Sequence, residues 1–390
     1  MHAILIGAGI GGLTAALTLG RRGVSVTVLE RSPVLGEVGA GVQLGPNAAR
    51  ILFELGLEAA LRKVAFEPEA AEIRSARTGA LRLRNRLGPR AQDRWGAPYL
   101  QIHRADLQQA LLTAVEQAPG VGLRLGADVR DLRQDDGGVE VILESGEAVR
   151  GDFAVGCDGL RSHVRERLFG EDAATFTGQV AWRAVVPADR LPAGLIPPVA
   201  AVWTGAGKHC VHYFVKSGRA VNFVGVVERD WRVESWSEGG APADLIADFA
   251  GWPEPVAAIC RAAESPFRWA LYDRPPLARW SVGRVSLLGD ACHPMLPFLA
   301  QGAAMAIEDA EVLSHEVTRS ADPVVALSAY EAARKPRTSR VQAASRFNAR
   351  LFHLPDLAGT AAFAAAGLAD LVTPGGSASR FDWLYGYKAP

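Results

Sequence analysis

Apolar runs of strand length alternate with glycine-rich breaks at the start of the chain. His2 to Ile6 is an apolar run suited to a buried strand, and Gly7-Ala8-Gly9-Ile10-Gly11-Gly12 interrupts it. Leu13 to Arg22 then carries helical spacing, and Val24 to Leu29 reads as a second strand ending in Glu30. Next, Gly39, Gly41 and Gly45 break the pattern before Asn47, which is placed to cap a helix bearing Ile51, Leu52 and Leu55 on one face. Residues 64–102 alternate short strand signals with polar turns. His103-Arg104-Ala105-Asp106 leads into a helix with Leu107, Ala110, Leu111 and Val115 at helical spacing, followed by strand candidates at 123–130, 138–143 and 148–156.

From about 176 to 272 the texture changes. Strand-like alternation dominates at Ala200 to Trp203, His209 to Val215 and Ala220 to Val227. Trp182, Trp203, Tyr213, Phe214, Phe223, Trp231, Trp236, Trp252 and Trp269 concentrate the aromatics in this stretch. Near 280 the α/β texture resumes, with a strand over Gly283 to Asp290 and a helix over Gly302 to Val317. The pattern predicts an α/β chain whose first unit is discontinuous, 1–175 and 273–345, with a mostly antiparallel sheet module inserted at 176–272 and a helical segment at 346–390.

Composition narrows the classes. Lys+Arg 42 balances Asp+Glu 42, so the strongly basic face of a nucleic-acid binder is not expected. An apolar content of 49% excludes a disordered chain. The four cysteines, at 157, 210, 260 and 292, form no CxxC and no metal-ligand spacing, so neither a disulfide framework nor a metal site is indicated and reduced cytoplasmic thiols are expected. MHAILIGAGIGG has no basic leader, and the apolar stretch Leu357 to Val372 contains Asp370 and falls short of the roughly 20 residues that span a bilayer, so no membrane partner is expected either.

The first chemical motif is GxGxxG at Gly7, Gly9 and Gly12. Gly7 permits the tight turn, Gly9 lets the backbone approach a pyrophosphate, and Gly12 lets helix and strand pack closely. Phosphate would sit at the positive end of the helix, and Glu30 is placed to accept hydrogen bonds from a ribose diol. One such motif serves a nicotinamide cofactor or FAD equally well.

Two later segments decide between them. Gly156-Cys157-Asp158-Gly159-Leu160-Arg161-Ser162-His163-Val164-Arg165 and Gly289-Asp290-Ala291-Cys292-His293-Pro294 resemble the DG and GD motifs of the FAD-dependent aromatic hydroxylases, the class A flavoprotein monooxygenases. With the glycine turn they form three ordered motifs across nearly the whole chain. The segment AQGAAMAIEDA, the run DACHPM and the tail DWLYGY resemble the branch of salicylate hydroxylase, 3-hydroxybenzoate 6-hydroxylase and 6-hydroxynicotinate 3-monooxygenase. Many family members carry Gly and Asn where this chain has Ala300 and Ala304, which leaves flavin contacts there to backbone amides.

The resemblance implies a Rossmann-like FAD-binding domain of the para-hydroxybenzoate hydroxylase type. Physically, Asp290 after a glycine can accept hydrogen bonds from ribityl hydroxyls. The run from Pro294 through Pro297 to Ala304 is stiff and free of bulk, so backbone can lie against a flat ring. Amides at the start of the helix from Gly302 would face the flavin pyrimidine, where negative charge develops on reduction. By resemblance Arg104 is directed at the ribityl and phosphate region, and Arg31, Gly41, Val42, Val129, Asp158, Pro297, Gly302, Ala303 and Ala304 join the flavin contacts.

On a strand, residues two apart share a face, so His209, Val211 and Tyr213 point one way and Cys210, His212 and Phe214 the other. The resemblance implies that a His and a Tyr at this spacing face the substrate ring, and His209 and Tyr213 match. An imidazole is a suitable base for a phenol near neutral pH. His293 is expected as a proton relay or substrate contact, Gln301 as a substrate hydrogen-bond partner, and His212 as structural. Arg183 and Arg219 are possible carboxylate partners.

The implied reaction is hydroxylation of a phenolic aromatic or heteroaromatic acid through a flavin C4a-hydroperoxide. It takes tightly but non-covalently bound FAD, transient NADH or NADPH, and O2, with decarboxylation where the carboxyl occupies the reacting carbon. Alternatives are the same chemistry on a larger aromatic or polyketide-like metabolite, or a flavin-binding protein without hydroxylase activity. A flavin halogenase would show a WxWxIP segment, which Gly251-Trp252-Pro253-Glu254-Pro255 does not supply. Monomer and homodimer are both compatible with the sequence.

Overall fold

The computed structural model describes residues 1–36, 40–171, 173–233, 238–372 and 376–390, so Gly39 and Trp236 lie outside the described residues. Its first sheet is wholly parallel, in the order Val285–Leu287, Phe153–Gly156, His2–Ile6, Ser25–Glu30, Val121–Leu125. The central strand shows why: Ala3, Ile4 and Leu5 have no exposed surface, as both faces of a parallel sheet are covered. The helices Ile10–Arg21 and Gly302–Arg319 pack on each other over this sheet, tied by a Thr18 hydroxyl donating to the Ala310 carbonyl at 3.0 Å.

Two predicted strands are shortened, each for a local reason. The stretch 148–156 breaks at Asp152, whose carboxylate accepts the His2 amide at 2.6 Å. Ala148–Gly151 therefore joins a small antiparallel sheet, while Phe153–Gly156 enters the parallel one. The strand expected over 283–290 holds only at Val285–Leu287, because Gly289 turns the chain with φ of 66°.

The aromatic stretch folds into a sheet of seven strands, ordered Phe267–Asp273, Thr175–Pro187, Ala220–Glu228, Lys208–Val215, Ala200–Gly205, Ala70–Ser75, Leu81–Arg86. The last two strands come from the polar-turn region well before the module. Ala70–Ser75 pairs in parallel with Ala200–Gly205, the one parallel ladder of this sheet. One face packs Trp182, Trp203, Phe223 and Cys210 against Phe249, Val256 and Ile259 of the short helices Pro242–Asp248 and Glu254–Ala262. Period-two alternation sends His209, Val211 and Tyr213 to the opposite face, which borders a cavity shared with the parallel-sheet side.

The long helix Pro323–Phe352 and the helix Asp356–Val372 close the molecule. The tail follows, with Tyr385 packed edge-on against Trp95 and Tyr99. Among the described residues no helix is long and apolar enough to cross a membrane.

Candidate active site

A cavity of about 880 Å3 lies between the parallel sheet and the seven-stranded sheet. Its first wall is the glycine turn. Gly7 takes φ of 108°, and a Cβ there would stand 2.6 Å from the Cys157 carbonyl oxygen; a Cβ at Gly12 would stand 2.0 Å from the Gly7 oxygen. Beside Gly9, in contrast, there is open space out to 4 Å. Gly9 is the N-cap of the helix Ile10–Arg21 without a side-chain cap, so its end amides are left for a ligand in the cavity. Glu30 accepts the amides of Ala8 at 2.8 Å and Ser32 at 2.9 Å, which fixes the carboxylate at the end of its strand.

A second wall is the turn Gly289 to Gly302. Asp290 opens into the cavity; crowding by protein around it raises its pKa, opposed by the positive fields of His293 and Arg104. Pro297, Gly302 and Ala303 also line the cavity, and the helix Gly302–Arg319 begins there without a side-chain cap. Ala300 sits in the left-handed region at φ of 52°. Gln301 is 1% exposed; its Oε1 accepts from Asn47 Nδ2 at 3.1 Å, while its Nε2 faces no hydrogen-bond partner in the protein. A buried amide donor at the cavity wall, two uncapped helix starts and a carboxylate beside an arginine form the donor and acceptor set that a flavin dinucleotide requires. The residues present fit FAD.

The strand Gly41–Leu44 brings Gly41 and Val42 to the rim, held to the large sheet by the Gly41 amide donating to Asn222 Oδ1 at 2.6 Å. Other expected contacts lie elsewhere. Arg31 is exposed beyond the second strand and Val129 packs in the main core, neither on the cavity wall. Asp158 turns to structure: its Oδ2 accepts the Val164 amide at 3.0 Å at the start of the helix His163–Phe169. Ala304 is fully buried behind the wall.

The wall opposite is the face of the seven-stranded sheet. His209 is 2% exposed, with its ring edge-on to Phe298 at 5.1 Å between centroids. Burial first, and then the His353 ring, push its pKa well below the usual 6.5, so it stays a neutral imidazole at neutral pH. Burial likewise raises the Tyr213 hydroxyl. Arg183 stacks on Trp269 with its guanidinium carbon 3.8 Å from the ring centroid, on the same wall. Arg219 donates to the Lys216 carbonyl at an exposed turn and is absent from this wall. His212 points away, buried beside Trp203, with its pKa pushed down to about 3 by burial and Arg74.

His293 is also not on the cavity wall. It is 1% exposed, with Nε2 at 2.5 Å from Asp309 Oδ2, inside a buried ionic network. Arg334 bonds Asp309 at 2.6 Å and Glu308 at 2.7 Å, Arg337 bonds Glu308 from two nitrogens, and Asn47 donates to Glu308 at 2.7 Å. Burial would raise Asp309, but His293 and Arg334 outweigh it and hold the carboxyl below its usual range. Asp309 also accepts the Gly289 amide at 3.1 Å, so the network fixes the turn that presents Asp290. The Asn47 side chain is thus spent on this network, and Gly45 is the residue at the helix cap. The adjacent acids of AIEDA were the sequence signal for the network: two carboxylates on a helix of small apolar residues require buried cations.

Replacing Asp290 by Ala should lower FAD retention through gel filtration at least tenfold, since a charge-assisted pair of hydrogen bonds is worth about 1.5–3 kcal/mol each. Undiminished flavin content would remove Asp290 from the cofactor wall.

Comparison with known proteins gives the family. A family model described as an FAD binding domain matches residues 1–345. A 3-amino-4-hydroxybenzoate 2-monooxygenase of Streptomyces platensis is 40% identical over 99% of this chain and 96% of its own length. The 3-hydroxybenzoate 6-hydroxylase 1 of Aquipseudomonas alcaligenes is 38% identical over 98% and 97%. Among solved structures, Klebsiella pneumoniae HpxO in complex with FAD and uric acid superposes with a TM-score of 0.82 at 29% identity, covering 94% of this chain and 92% of that one. The cavity walls, the family match and the full-length relatives converge: the chain belongs to the FAD-binding-domain family, as a class A flavoprotein monooxygenase with FAD as its cofactor.

Proposed function

We propose that this enzyme hydroxylates a small phenolic aromatic acid of the hydroxybenzoate class, consuming NAD(P)H and O2. The observation that carries the reading is the pairing of two walls on one cavity: Asp290, Gln301 and the uncapped helix starts on one side, His209, Tyr213 and Arg183 on the other. When bound, FAD supplies the redox chemistry, taking reducing equivalents from NAD(P)H and activating dioxygen. The chain's own groups do the rest. His209, neutral by burial, accepts the ring hydroxyl proton, which makes the ring a stronger nucleophile. Tyr213 keeps its proton and can donate a hydrogen bond to the same oxygen. Gln301 orients the ring from the opposite wall, and Phe298, Phe352 and Trp269 exclude water.

Arg183 gives the acid group its positive partner. The chain has no net charge to steer an anion, so attraction has to be local. Arg183→Met should raise KM on the order of tenfold or more with a smaller change in kcat, as loss of a charged hydrogen bond predicts. An unchanged KM would move the carboxylate subsite elsewhere. The reading includes a cytoplasmic location, supported by four free thiols. It is tested by adding 3-amino-4-hydroxybenzoate, 3-hydroxybenzoate, 4-hydroxybenzoate, salicylate and 6-hydroxynicotinate to the holoenzyme and measuring NAD(P)H oxidation and products. At least one should accelerate oxidation and yield a hydroxylated product. No acceleration by any of them would overturn the substrate class.

A further inference from the structure

The cavity histidine does not end in the protein interior. His209 Nδ1 lies 2.7 Å from His353 Nε2, and His353 Nδ1 lies 2.7 Å from Glu228 Oε1. His353 follows the long helix Pro323–Phe352 and its side chain is 4% exposed, whereas the Glu228 side chain is 56% exposed. Backbone fixes the middle member: the hairpin residue Gly207 donates its amide to the His353 carbonyl at 3.1 Å and accepts the Glu228 amide at 3.0 Å. The Gln179 amide flanks the His353 ring at 3.5 Å, and Phe298 and Phe352 pack on His209. The three side chains thus form a continuous line from the cavity to solvent.

Hydrogen-bond chemistry sets the direction of that line. A carboxylate only accepts, so His353 Nδ1 carries a hydrogen toward Glu228. Neutral His353 then has a lone pair at Nε2, so His209 Nδ1 must donate to it. This leaves the lone pair of His209 at Nε2, the nitrogen not engaged by His353, on a residue that lines the cavity. We infer that His353 and Glu228 form a proton exit that carries the substrate's hydroxyl proton from His209 to solvent. The inference rests on the reading of His209 as the base for a phenolic substrate.

The step balances without an added reagent. The substrate O–H bond breaks as His209 Nε2 takes the proton; His209 Nδ1 passes its hydrogen to His353 Nε2, and His353 Nδ1 passes its own to Glu228, which releases a proton to water. Both rings finish neutral, with their tautomers reversed, and His209 Nε2–H now donates to the phenolate oxygen. No imidazolium is left in the apolar wall, which a single buried imidazole acting alone could not achieve, and the negative charge stays on the phenolate oxygen that His209 Nε2–H faces. His353 is a positioning and relay residue here; it does not touch the substrate.

Two measurements test the exit. First, nitrogen-15 NMR of histidine-labelled holoenzyme without substrate should show His209 and His353 both neutral with hydrogen on Nδ1. Hydrogen on Nε2 of His209 would overturn the line. Second, on mixing 3-hydroxybenzoate with holoenzyme, phenolate absorbance should appear about a hundredfold more slowly in His353→Ala than in the parent, the low end of the range for proton transfer by a positioned side chain. Flavin content should be unchanged, and added imidazole should restore the rate. A parental rate, or a slow rate that imidazole leaves untouched, would overturn it; His353→Gln, which keeps the packing, should also be slow. The NMR result needs no turnover, so failure of the exit is distinguishable from failure of the hydroxylase reading, which would show as no response of the parent enzyme to any hydroxybenzoate.

Discussion

His209→Gln should lower coupled hydroxylation by about 10²–10⁴-fold, the usual contribution of general acid–base catalysis. FAD content and the rate of flavin reduction should change far less, because His209 lies on the sheet wall and not on the wall formed by Asp290 and the glycine turn. Gln fills similar space and can hydrogen-bond but cannot take a proton, so the loss isolates proton transfer from packing. The pH dependence has a definite sign. The folded His209 binds a proton only well below the unfolded value of 6.5, so the base stays competent as pH falls through 6.5, and the acid limb of kcat/KM lies below that value. For stability, His209, His212 and His353 are all lowered, so the unfolded chain binds more protons below pH 6.5 and stability declines as pH falls through that window. Product analysis against NAD(P)H consumed measures the first effect. Undiminished coupled turnover in His209→Gln would remove it from the reaction.

Arg334→Met should destabilise the protein by about 3–5 kcal/mol, the range for removing one partner of a buried ion pair. Arg334 is fully buried; burial opposes its charge, but Glu308 and Asp309 outweigh that and hold it protonated. Met keeps an unbranched apolar stem, lacks the guanidinium and leaves both carboxylates without that charge, though Arg337 still reaches Glu308. Asp309 is then the group most exposed to the loss, and it holds the Gly289 amide. FAD should therefore be lost along with stability. Thermal unfolding and flavin absorbance read the two effects. Adding Asp309→Asn to Arg334→Met should recover part of the stability, since the stranded charge is removed. A double variant no more stable than the single one would contradict the ionic account.

Much of this site was legible in the sequence because its chemistry is local. The glycine turn and the small-residue run to Ala303 act through backbone, and Asp290 follows its turn glycine directly, so order and spacing convey them. Period-two alternation was enough to put His209 and Tyr213 on one face and His212 on the other. Long-range partnerships were not legible. Nothing near Ala70–Ser75 marks it as the parallel neighbour of Ala200–Gly205, because that pairing depends on a connection of well over a hundred residues. His293, next to the flavin turn in sequence, points into the network around Asp309, and adjacency cannot reveal which side of a turn a side chain takes. Arg31 and Val129 were placed by resemblance alone and lie off the cavity wall, while His353, with no motif around it, supplies the closest polar partner of His209.

In the proposed reaction one atom of dioxygen enters an aromatic acid held between the wall of Asp290 and His209. Its most direct test is turnover of the hydroxybenzoate that best stimulates NAD(P)H oxidation under 18O2, followed by mass spectrometry of the product. The hydroxylated product should carry one 18O atom, in proportion to NAD(P)H consumed, and no label when 18O is supplied as water. Hydrogen peroxide as the sole oxygen product, with the aromatic acid recovered unlabelled, would contradict it.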